Sequence, residues 1–267
     1  MADKATLRVL RGNKDGAAFT EYEVETFPGM VVLDAIHDVQ AKTAPDLAVR
    51  WNCKAGRCGS CSAEVNGKPR LLCMTRMTNY PAGEPITVTP MKAFPVLKDL
   101  VTDVSQNFRM AKKIPPFKPR PRDADGTWRM QQYDIDRIQE FRKCIECFMC
   151  QDVCHVIRDH GKEENFAGPR FFIHLATLDM HPLDTVDRRP MMKEKLGLGL
   201  CNITKCCTEV CPEHITITDN AIIPLKERVA DDYFDPIRWV IRKVTGDTKK
   251  KHLPVLEAAT SVDKAGE

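Results

Sequence analysis

The sequence predicts an α+β chain: a first part built on a mostly antiparallel or mixed sheet crossed by one helix, then a helical second part. Three observations predict it. Over residues 1–111, short runs of β-branched and apolar residues are separated by turn residues. From 129 onward the apolar residues fall three and four apart. Between them KKIPPFKPRPRDADGTW, residues 112–128, carries four prolines and many charges. Proline fixes φ and removes a backbone donor, so this stretch reads as a linker.

In order along the chain, TLRVLRG and AFTEYEVETF read as two strands of a hairpin. VVLDAIHDVQAKTA sets Leu33, Ile36 and Val39 three apart and Val32 and Ile36 four apart, which predicts a short helix. AEVNGKPRLL places Asn66-Gly67 between apolar runs, a strong hairpin signal, and ITVTP supplies a further strand. In the second part MQQYDIDRIQEFRKC carries Ile135, Ile138 and Phe141 at helical steps into Cys144. FFIHLATL and ITDNAIIPLKERVADDYF predict two more helices. The polar tail, 246–267, reads as frayed or held by a partner.

Apolar residues make up 43% of the 267, enough for a core, and aromatics only 7%, so that core is largely aliphatic. A net charge of +3 with 29% charged residues describes a mixed, solvated surface. Nothing in it resembles the clustered basic face of a nucleic-acid binder. The abnormal feature is twelve cysteines. The opening residues show neither an apolar signal core nor an Arg/Ser-rich presequence. That predicts a reducing compartment, where clustered cysteines hold metal more often than they form disulfides. No run approaches the ~18 apolar residues of a membrane-spanning helix.

Cys53, Cys58, Cys61 and Cys73 are spaced C-x4-C-x2-C-x11-C. The opening of that pattern is the plant-type arrangement for a [2Fe–2S] cluster. Gly56 and Gly59 let a tight loop aim amides at the sulfurs, and the Asn66-Gly67 hairpin brings Cys73 back. A structural zinc site would favour paired C-x2-C knuckles instead.

CIECFMCQDVCH (144–155) and CNITKCCTEVCP (201–212) form an imperfect repeat. The first has the C-x2-C-x2-C-x3-C spacing of bacterial ferredoxins, in which the fourth cysteine serves the other cluster. Crossed ligation assigns Cys144, Cys147, Cys150 and Cys211 to a [4Fe–4S] cluster. It leaves Cys154, Cys201 and Cys207 for a second site, where Thr204 stands in place of a fourth thiolate. A corner without a thiolate tends to lose its iron, so this site is expected to hold [3Fe–4S]. Cys206 has two readings: a small buried hydrophobe, or a fourth ligand completing a cubane. Adjacent side chains point in different directions, which favours the first.

Together these motifs resemble the iron–sulfur subunit of succinate dehydrogenase and fumarate reductase. CKAGRCGSC with Cys73, CIECFMCQDVC, the C-x5-C-x3-C-P run ending at Pro212, and FAGPRFF (166–172) carry the resemblance over roughly residues 5–245. It implies an N-terminal β-grasp ferredoxin domain and a C-terminal all-α helical ferredoxin domain, over 1–111 and 129–245. It also implies two partners, a flavoprotein subunit with FAD and a transmembrane anchor that binds quinone. Electrons would pass from FAD through [2Fe–2S], [4Fe–4S] and [3Fe–4S] to quinone. The subunit alone would be catalytically idle. The chain departs from the family pattern at His155, where many members have proline, and at Asp159 and Asn202, where well-studied members have tryptophan and histidine. These changes bear on the quinone pocket and leave the cysteines untouched. His155 reads either as a proton or hydrogen-bond donor near the quinone or as a helix-end histidine.

The expected location is the cytoplasmic face of a bacterial inner membrane. Two other readings stand beside the succinate:quinone one. The same subunit could serve a fumarate reductase, or the chain could be a soluble multi-cluster carrier for a cytosolic dehydrogenase.

Overall fold

The computed structural model describes residues 4–161 and 164–245. Along the chain lie β1 (Lys4–Asn13), β2 (Gly16–Glu25), α1 (Val32–Lys42), β3 (Ser62–Val65), β4 (Lys68–Leu71), β5 (Ile86–Thr89), β6 (Val96–Lys98) and β7 (Val101–Thr102). Then follow α2 (Ser105–Lys113), α3 (Gln132–Gln139), α4 (Met149–Asp152), α5 (His155–Arg158), α6 (Pro169–Asp179), α7 (Arg189–Glu194), α8 (Cys206–Glu209), α9 (Ile223–Phe234) and α10 (Pro236–Thr245). The switch from strands to helices is the one the sequence predicts. The tail expectation for 246–267 lies outside the described residues.

By compactness the chain forms two units. One comprises the residues up to Arg109 together with Cys144–Gly161 and Lys205–Ile215. The other comprises Met110–Lys143, 164–204 and 216–245.

The first unit is built on a five-stranded mixed sheet in the order β2-β1-β5-β3-β4. β1 and β2 pair antiparallel from Lys4↔Glu25 to Asn13↔Gly16, whereas β1 and β5 run parallel. Asn66 and Gly67, at φ +48° and +75°, make the β3–β4 turn in the left-handed region that such a two-residue connection requires. The residues whose spacing predicts α1, Val32, Leu33, Ile36 and Val39, are buried with Leu7, Val9, Val65 and Val88 of the sheet. Buried Asp99 fastens three segments. It accepts hydrogen bonds from the Gly12 and Ala48 amides, each at 2.8 Å, and pairs with Arg11 Nε at 3.0 Å. Those donors satisfy a carboxylate that would otherwise be costly to bury.

In the second unit, α6 buries Phe171, Phe172, Ile173, Leu175 and Ala176. A π-helical turn, Ile217–Ile222, packs against it and runs into α9. Glu140 ties this turn down, accepting from the Thr216 amide and the Asn220 side chain, both at 2.6 Å. The proline-rich stretch is fastened rather than loose. Fully buried Arg188 donates to the carbonyls of Pro115 at 3.0 Å and Pro116 at 2.7 Å, and pairs with Asp184 at 2.8 Å.

Candidate metal centres

Cys53, Cys58 and Cys61 lie on the loop from α1 to β3, and Cys73 follows β4. Lys54, Gly56 and Gly59 all have φ between +55° and +68°. That backbone turns amides inward, so the Ala55 and Arg57 N–H groups donate to Cys53 Sγ at 3.4 and 3.3 Å. Such donors spread the charge of a thiolate. Burial opposes ionisation of Cys58, but hydrogen bonds from Ser60 and Cys53 outweigh it and hold the thiol at about 6. Burial pushes the Cys61 thiol up to about 12, against a backbone hydrogen bond from Cys73 and with further lift from the Cys73 and Cys58 sulfurs. The four sulfurs thus share one environment.

The second group is carried by Cys144–Gly161 and Lys205–Ile215 in the same unit. Burial pushes Cys147 up to about 12, and the Cys144 and Cys211 sulfurs add to it against the Met149 amide. Fully buried Cys150 is pushed well above the usual thiol range by burial first, then by Cys147, Cys144, Cys207 and Cys211. Burial also raises Cys211, although the Ile215 amide donates to its Sγ at 3.4 Å. Burial raises Cys154 to about 12 against the Val156 and Ile157 amides, with Cys206 and Cys207 as its sulfur neighbours. Of the predicted ligands, Cys144, Cys147, Cys150 and Cys211 therefore converge, and Cys154 meets Cys207. Cys201 lies in the second unit, where its carbonyl accepts from Lys226 Nζ at 2.7 Å.

The sequence repeat reappears in the backbone. Two and four residues after Cys144, Glu146 and Phe148 have φ +57° and +60°. Two and four residues after Cys201, Ile203 and Lys205 have φ +64° and +63°. Left-handed backbone at a non-glycine costs on the order of 1–2 kcal/mol, so its recurrence at equivalent places marks a built turn. Cys206 and Cys207 open α8 side by side, and Cys206 Sγ donates to the Val153 carbonyl at 3.4 Å. His155 opens α5, its ring 6.1 Å from that of His160.

Sequence reasoning missed what holds the Cys147 loop in place. Phe148 sits against Met91 and Phe94, with ring centroids 6.4 Å from Phe94 and 6.3 Å from Phe108. Buried Glu64 pairs with Arg158 at 3.0 Å and Lys92 at 3.1 Å. Asp152 accepts from the Ala93 amide at 2.9 Å. Burial pushes the Asp152 carboxyl up to about 7 despite that bond, and neighbouring Glu64 pushes it further. No periodicity or motif marks these residues, because each partner comes from a distant segment.

The donor set fits iron–sulfur groups: eleven thiols outside Cys206, five of them buried and the rest half-buried, with amides aimed at the Cys53 and Cys211 sulfurs. Two family models match the chain, a 2Fe-2S iron-sulfur cluster binding domain over residues 6–109 and a 4Fe-4S dicluster domain over 140–215. The fumarate reductase iron-sulfur subunit of Mycobacterium tuberculosis is 30% identical over 226 residues, covering 80% of this chain and 89% of that one. The chain belongs to the family of succinate dehydrogenase and fumarate reductase iron–sulfur subunits. Within that family, the succinate dehydrogenase iron-sulfur subunit of Bacillus subtilis is 29% identical over 241 residues, covering 82% of this chain and 90% of that one. A chain of the Mycobacterium smegmatis Sdh1 complex in the apo form is 63% identical. It superposes with a TM-score of 0.86 over 89% of this chain and 100% of that one. Family members serve oxidoreductase complexes as electron-transfer subunits, and this chain has their two-part fold. Among the described residues no helix is long and apolar enough to cross a membrane.

Proposed function

We propose that this chain is the electron-transfer subunit of a succinate:quinone oxidoreductase, taking electrons from FAD in a flavoprotein subunit and delivering them to quinone at a membrane anchor. Cys53, Cys58, Cys61 and Cys73 would hold [2Fe–2S]. Cys144, Cys147, Cys150 and Cys211 would hold [4Fe–4S]. Cys154, Cys201 and Cys207 would hold [3Fe–4S], with Thr204 leaving the fourth corner unligated. The observation that carries this reading is the doubled cysteine turn, with positive φ two and four residues after both Cys144 and Cys201. The high identity to a chain of the Sdh1 complex supports the succinate direction.

When bound, the three groups supply one-electron redox steps. The chain's own residues set where those steps occur. The Ala55, Arg57 and Ile215 amides stabilise charge on cysteine sulfur, which tunes potential as hydrogen bonds to sulfur do in this class of site. Burial of Cys61, Cys73, Cys150, Cys154 and Cys207 keeps water from the ligands.

The test is low-temperature EPR of the purified, air-oxidised complex, repeated after reduction. A signal in the oxidised state that vanishes on mild reduction is expected from [3Fe–4S]. No oxidised signal, with iron and sulfide present, would mean that Cys206 or an outside group completes a cubane.

A further inference from the structure

Gly59 lies between Cys58 and Cys61, on the loop of the first cysteine group, and touches the loop of the second. A Cβ built on it would stand 2.8 Å from Cys147 Cα, 2.9 Å from Cys147 N and 2.9 Å from the Ile145 carbonyl oxygen. All three are backbone atoms, which cannot swing aside. The two loops therefore meet backbone to backbone, at a separation that only the absence of a side chain permits. Each side is pinned. Buried Ser62 Oγ donates to the Gly59 carbonyl at 2.9 Å, and Phe148, next to Cys147, is packed against Met91 and Phe94.

Gly56, three residues earlier, supplies a contrast within one loop. Its φ is +68° and that of Gly59 is +67°, so both sit in the region where a side chain is strained. A Cβ on Gly56, however, would meet only the Met74 side chain, at 3.0 Å from Cγ and 3.1 Å from Sδ. Methionine is flexible and can move aside. The two glycines thus share the backbone requirement and differ in the contact across the loops.

We infer that Gly59 is a positioning residue for electron transfer: it sets how closely the Cys53–Cys58–Cys61–Cys73 site approaches the Cys144–Cys147–Cys150–Cys211 site. This rests on the cofactor assignment proposed above. One electron crosses the Gly59–Cys147 contact, oxidising the group on the first site and reducing the group on the second. No bond or proton changes. Transfer between sites depends steeply on their separation, so a few tenths of an ångström of forced displacement is felt by every electron that passes.

The experiment compares Gly59→Ala with Gly56→Ala in the intact, iron-loaded complex. Microwave-power saturation of the [2Fe–2S] EPR signal is recorded with the [4Fe–4S] group oxidised and then reduced by dithionite. A nearby paramagnet speeds relaxation according to distance, which a purely structural role for the glycine would leave unmoved. The expected result is that G59A shows a smaller enhancement than both wild type and G56A, with both signals present. Wild-type enhancement in G59A would overturn the inference. If G59A fails to assemble the two-iron group while G56A succeeds, Gly59 is needed to form the site rather than to set its distance, which overturns the inference. Gly59→Asn isolates the Cβ contact, since asparagine tolerates positive φ yet keeps the Cβ. G59N with full enhancement would again overturn it. Absence of both iron signals from wild type would instead defeat the cofactor assignment, and this inference with it.

Discussion

Phe148 is where packing and cofactor retention meet. Its φ is +60°, a conformation that costs a non-glycine residue roughly 1–2 kcal/mol. What holds it there is its ring, wedged against Met91 and Phe94, and its carbonyl, which accepts from the Gln151 and Asp152 amides at 3.0 Å each. Phe148→Ala keeps the strained backbone and removes the ring. Large-to-small changes of this kind cost about 3–5 kcal/mol. The lower end applies, because Met91 is flexible and can partly fill the gap. Since about 1.4 kcal/mol is tenfold in an equilibrium, ~3 kcal/mol raises local opening on the order of a hundredfold. The assay is hydrogen exchange by mass spectrometry on the iron-loaded complex, following peptides across 144–154. Faster exchange is expected there and not in 53–61, together with quicker loss of iron to a chelator. Unchanged exchange across 144–154 would refute the reasoning, because the loop would then owe its shape to something other than this ring.

Three further outcomes are expected. Arg188→Met leaves buried Asp184 without its charge partner and the Pro115 and Pro116 carbonyls without the Arg188 donor, so denaturation should reveal about 3–5 kcal/mol of lost stability in the second unit, and D184L/R188M should lose less than R188M alone. For Asp99, burial raises the carboxyl, but the Ala48 and Gly12 amides and Arg11 outweigh it and hold it below 3.8, its ordinary value. The stability this supplies is full above the ordinary value and is lost as pH falls through the depressed one. Asp99→Asn should therefore be less stable than wild type at neutral pH, with the gap closing in acid, as read from unfolding midpoints across pH. Thr204→Cys should abolish the oxidised-state EPR signal by completing a cubane, whereas Cys206→Ala should leave it in place and cost under about 1.5 kcal/mol, the upper value for one ordinary hydrogen bond.

Much of the fold is legible from local pattern. The β1–β2 hairpin, α1 and the Asn66-Gly67 turn follow from alternation, three-residue spacing and a dipeptide suited to left-handed backbone. The candidate ligands are legible for a different reason. A cluster demands thiols at short, set separations along a turn, so Cys53-x4-Cys58-x2-Cys61 declares itself without any knowledge of the rest. Glu64, Asp99, Asp152 and Arg158 were not legible. Each looks like a surface charge until its partner arrives from 51 to 94 residues away, as Ala48 does for Asp99 and Arg158 does for Glu64.

By itself the sequence determined which residues are candidates for the chemistry and the local turns that present them, because thiol spacing and turn preference act over a few residues. Only the tertiary structure decided that Cys144–Gly161 and Lys205–Ile215 pack into one unit with the N-terminal sheet. It alone gave Gly59 its second role. The left-handed φ there belongs to its own loop and suits glycine in any setting. The lack of room for a Cβ belongs to the backbone of Cys147, 88 residues further on, and long-range packing of that kind leaves no trace in local pattern.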